Sequence, residues 1–76
     1  MISYILRLIG DFKREHGYRP NLLYLNELHS RHLKSEFSGD FSLQQMCSMF
    51  ELELIIDQGI VHPHVAWIQA ADTLAI

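Results

Sequence analysis

The sequence predicts a small α+β domain: one unit over residues 1–76, in the order α-β-α-α-β-β, with a short, mostly antiparallel sheet and helices packed on one face. Three observations carry that prediction. Apolar residues recur at helical spacing from Ile2 to His16. A continuous apolar run, NLLYL, follows Pro20. Glu51 to Gln69, ELELIIDQGIVHPHVAWIQ, holds two runs rich in β-branched residues around an HPH step.

At 100° per residue, Ile2, Ile5, Leu6, Leu8, Ile9 and Phe12 fall on one arc of the first helix. Ser3, Arg7, Gly10, Asp11 and Arg14 take the other side, and Gly17 is placed to end the helix in a left-handed conformation. Pro20 pushes Arg19 into an extended backbone. Asn21 to Leu25 then suits a strand covered on both faces, because its apolar character does not alternate.

Asn26 is a good N-cap for a helix from Glu27 to about Phe37, anchored by Leu28, Leu33 and Phe37 and broken at Ser38-Gly39-Asp40. Ser42 and Gln45 form an S-x-x-Q capping box, with Phe41 and Met46 placed as a hydrophobic staple. The helix that follows, Leu43 to about Phe50, is too short to stand on propensity and needs packing to hold it.

Glu51 to Asp57 alternates, with Leu52, Leu54 and Ile56 on one face and Glu51, Glu53, Ile55 and Asp57 on the other, as a half-buried strand does. Gln58-Gly59 signals a turn, and His64 to Gln69 is the next strand. The simplest pairing is an antiparallel hairpin of these two, with NLLYL beside the first. The tail, AADTLAI, reads as a short extra strand or a frayed end.

Composition narrows function more than any motif does. With a net charge of -3 and only six Lys and Arg, no basic stripe is available to a phosphate backbone, so nucleic acid is not expected. Lys13, Arg14, His16 and Arg19 lie close together, and such a cluster is ordinarily a solvated face. The lone Cys47 points to a reducing compartment, and MISYILRLIGDF lacks the form of a signal peptide or a membrane span. The cytoplasm, with no membrane partner, is the expectation.

Five histidines are the compositional oddity. His29 and His32 share a helical face with Glu36 one turn on, and His62 and His64 flank Pro63. Zinc takes three or four ligands of these types, so a site built on His29, His32 and Glu36, joined by His62 or His64, is the one metal expectation. Against it, the spacing is not that of an established helical zinc motif, and histidines at helix ends and polar rims are common. No other cofactor is expected.

Other candidates have plainer explanations. Tyr4, Tyr18, Tyr24 and Trp67 can form an aromatic ligand face, but aromatic residues near strands are more often core. Met46 and Met49 beside Phe50 suit core filling better than an adaptable binding surface. Glu51, Glu53 and Asp57 on one strand face read as solvent-facing acids rather than a general acid and base. Cys47, placed mid-helix between Met46 and Met49, reads as a small buried hydrophobe rather than a nucleophile. The expected function is therefore a non-catalytic protein-interaction or assembly module, partnered by another protein or by itself. A zinc-binding protein is the alternative, and a small enzyme comes last.

Overall fold

The computed structural model describes residues 1–37 and 41–69. Six elements follow one another: α1 (Ile2–His16), β1 (Leu22–Leu25), α2 (Glu27–Glu36), α3 (Leu43–Met49), β2 (Glu53–Ile56) and β3 (His64–Ala66). The predicted α-β-α-α-β-β order and α+β class hold. The suggested tail strand lies outside the described residues.

Local signals set the helix ends. Gly17 adopts φ 80°, and its N–H bonds the Lys13 carbonyl to close α1. At α3, Ser42 and Gln45 form the expected box: the Gln45 N–H donates to Ser42 Oγ and the Ser42 N–H to Gln45 Oε1. Phe41 lies edge-on to Phe37, ring centres 5.2 Å apart.

The sheet departs from the predicted hairpin. Its order is β2-β1-β3, so β1 is central, parallel to β2 and antiparallel to β3. The sheet is thus mixed. A strand apolar on both faces belongs in the middle, and Leu22, Leu23 and Leu25 are all buried there. β2 carries an acid at its first position and β3 is only three residues long, which suits both to an edge. Residues 26–52, with their two helices, form the long connection a parallel pair requires. The turn after β2 then arches over the end of β1 and does not fold straight back.

Paired residues share a sheet face, so the register divides the side chains. Leu23, Leu25, Leu54 and Val65 join Ile5 and Ile9 of α1, Leu33 of α2 and Leu43, Met46 and Cys47 of α3 in one core. All three helices therefore contribute to the same side of the sheet. Leu22, Tyr24, Glu53, Ile55, His64 and Ala66 occupy the opposite face. Among the described residues, no helix is long and apolar enough to cross a membrane.

Candidate functional site

The start of α2 gathers the histidine of greatest structural interest. Asn26 is the N-cap: its Oδ1 accepts the His29 N–H at 2.8 Å, while the Asn26 N–H donates to His29 Nδ1 at 3.1 Å. The imidazole thus fills the place that Glu or Gln takes in a capping box. A backbone N–H can only donate, so Nδ1 is the unprotonated nitrogen and Nε2 donates to the Val61 carbonyl at 3.0 Å. Asn26 Nδ2 donates to the Ile60 carbonyl at 3.0 Å, and Gln58 Nε2 to Glu27 Oε2 at 3.2 Å. The loop between β2 and β3 is therefore tied to the first turn of α2. Its own bend is an Asx turn, in which the Gly59 N–H donates to Asp57 Oδ1.

Of the other two residues of the expected zinc set, Glu36 serves α1 and His32 sits beside Glu36. Glu36 Oε1 accepts the Ile2 N–H at 3.0 Å, and Oε2 lies 2.9 Å from the amino group of Met1. The bond to the Met1 amino group, and after it the one from the Ile2 N–H, hold the Glu36 carboxyl below its ordinary value, with His32 adding charge attraction. His32 Nε2 is 3.4 Å from Glu36 Oε2. The structure thus brings His32 and Glu36 together, while both ring nitrogens of His29 are engaged elsewhere. Among the described residues, no three His, Cys, Asp or Glu side chains are grouped to hold a metal ion. His62 instead borders an open hollow of about 420 Å³, with Met1, Tyr4, His29 and Pro63. His64 stacks on Tyr24 across β1 and β3, ring centres 4.6 Å apart.

The aromatic residues correct the core expectation. Tyr4, Tyr18 and Trp67 stand at the surface, each more than two-fifths exposed. Trp67 meets Tyr18 edge-on at 5.3 Å, and Tyr18 meets Phe12 and His16. Met46 fills the core as expected, but Met49 faces solvent. Cys47 is buried and its thiol is pushed up by desolvation, while Glu51, Glu53 and Asp57 are exposed. Neither arrangement favours a nucleophile or an acid–base pair.

One residue the sequence did not single out organises the other end of the sheet. Asn21 donates its N–H to the Ala66 carbonyl and accepts the Glu53 N–H, joining both outer strands. Its side chain takes the Ile68 N–H on Oδ1 at 2.9 Å and gives Nδ2–H to the Ile68 carbonyl at 2.6 Å. An amide side chain thus stands in for a stretch of neighbouring strand and holds residues 67 and 68 in line with β3. An Asn before an apolar run is the only sequence signal for this role, and it is shared with ordinary turns.

These features define a class no finer than a small α+β domain with a three-stranded mixed sheet. The chain matches no family model, no curated protein and no solved structure.

Proposed function

We propose that the protein is a non-catalytic interaction module that assembles with copies of itself. The observation that supports this most is a three-stranded sheet whose three helices all contribute to a core on one side. On the opposite face Leu22 is already buried, Tyr24, Ile55 and Ala66 are half-buried, and Ile68 beyond them is nearly half exposed. A small sheet gains stability from further strands or from cover on its second face, and a second copy is the partner always present. A 49% hydrophobic chain of this length fits the same account.

Sedimentation from low micromolar to millimolar concentration tests it. The expected result is a mass that rises with concentration toward that of a dimer. A compact monomer across the whole range overturns self-association.

A further inference from the structure

Building on that reading, we infer that the second copy docks on the outer edge of β3, antiparallel about a two-fold axis at Ala66, to form one continuous six-stranded sheet. The backbone directions carry this. The Ala66 carbonyl accepts from Asn21, and both main-chain polar groups of Ile68 bond the Asn21 side chain, so residues 66 and 68 face β1. In a strand, successive residues turn these groups to opposite sides. The N–H and C=O of Val65 and Trp67 therefore point outward, and among the described residues none of them is paired. The clamp by Asn21 carries the extended line past the end of β3, so two outward-facing residues are presented.

The two edges of the sheet differ in what they admit. Glu51, Glu53 and Asp57 lie along β2, and pairing β2 with its own copy would gather six carboxylates; charge of this kind guards an edge. Residues 64–69, HVAWIQ, contain no Asp, Glu, Lys or Arg. Joining β3 to β3 also leaves the two acidic edges at opposite ends of the combined sheet, where a net charge of -3 per chain repels least.

Register follows from the faces. A two-fold axis normal to the sheet pairs only residues of one face, and centring it on Ala66 sets Val65 opposite the partner's Trp67 twice over. Each of those pairs exchanges two N–H···O bonds. On the helix side Val65 meets the indole, and on the open side His64 meets Ile68. Apolar surface meets apolar surface on the helix side, and Trp67 and Ile68, 43% and 47% exposed, are both covered.

The two Ala66 residues would face each other as a non-hydrogen-bonded pair, about 4.5 Å apart at Cα, a separation that a disulfide spans. The test is Ala66→Cys in the full chain under mild oxidation, with Ile56→Cys on the β2 edge as the comparison. Cys47 is buried and does not compete. Rapid, near-complete covalent dimer from Ala66→Cys and little from Ile56→Cys is the expected result. Sedimenting dimers that cross-link through Ile56→Cys, or through neither, overturn the β3 interface and leave self-association standing. A monomer at every concentration, for the unmodified chain as for both variants, overturns both. A circular-dichroism spectrum unchanged by each substitution keeps misfolding out of the comparison.

Discussion

Glu36 does for α1 what no residue of α1 does for itself. The helix has no side-chain N-cap and no acid in its first turn, leaving orphan N–H groups at its start. The Glu36 carboxylate, arriving from the end of α2, takes the Ile2 N–H and the Met1 amino group. Because folding lowers the carboxyl below its ordinary 4.5, the contribution is fully present above that value. It is lost as pH falls through the lower folded value. Glu36→Gln keeps the size of the side chain and removes the charge. Its melting temperature should lie below that of the parent at neutral pH, and the two should converge on acidification, as thermal melts across that range would register. An equal gap at every pH would mean that the charge is irrelevant. Nothing in the sequence announced this contact, since residues 2 and 36 meet only through tertiary packing.

At the scale of elements, the tie between α2 and the loop after β2 joins residues more than thirty positions apart. Asn26 was legible as an N-cap, because capping is a short-range signal. The partner three residues on was not, because His29 occupies the position where Glu or Gln is usual and so read as a metal ligand. Its two nitrogens separate the two jobs. His29→Ala should lose the bond from the Asn26 N–H and the Val61 bond together, keeping the N-cap bond to Asn26 Oδ1, and cost on the order of 1–2 kcal/mol. His29→Gln can still reach the Asn26 N–H and should recover part of that stability while the loop stays loosened. Urea unfolding measures the first effect. Amide exchange at residues 58–62 measures the second, which should rise in both variants. If His29→Gln protects that loop as fully as the parent does, the Val61 bond is not what holds it.

At the scale of the whole molecule, elements were legible and their arrangement was not. The span of α1, the capping box of α3 and the alternation of β2 each depend on residues a few positions apart. The order β2-β1-β3 depends on which strand can tolerate two neighbours, and NLLYL carried that information in its unbroken apolar run. The hairpin was preferred because β2 and β3 are adjacent in sequence, whereas Asn26 and His29 lead their connection over the end of β1. The surface position of Tyr18 and Trp67 was likewise out of reach, since strand-end aromatics look alike whether the strand is central or at an edge. The charge of the molecule yields one more prediction. Copies that each carry -3 and meet through an uncharged edge should associate more tightly as salt screens their repulsion. Sedimentation at low and high ionic strength checks this. Weakening by salt would point to an interface built on ion pairs instead.

The central place of β1 also sets a timetable for synthesis. A ribosome makes this strand early and both of its neighbours late, β2 after two intervening helices and β3 later still. Until then the nascent chain carries its most apolar strand with both edges bare and only helices to shelter it. Loop closures this long are slow, and exposed strands of this kind are where chains stick to one another. Chaperone dependence should therefore be greatest for chains that stop between α3 and β3, and should fall once His64 to Ala66 is free to pair with β1.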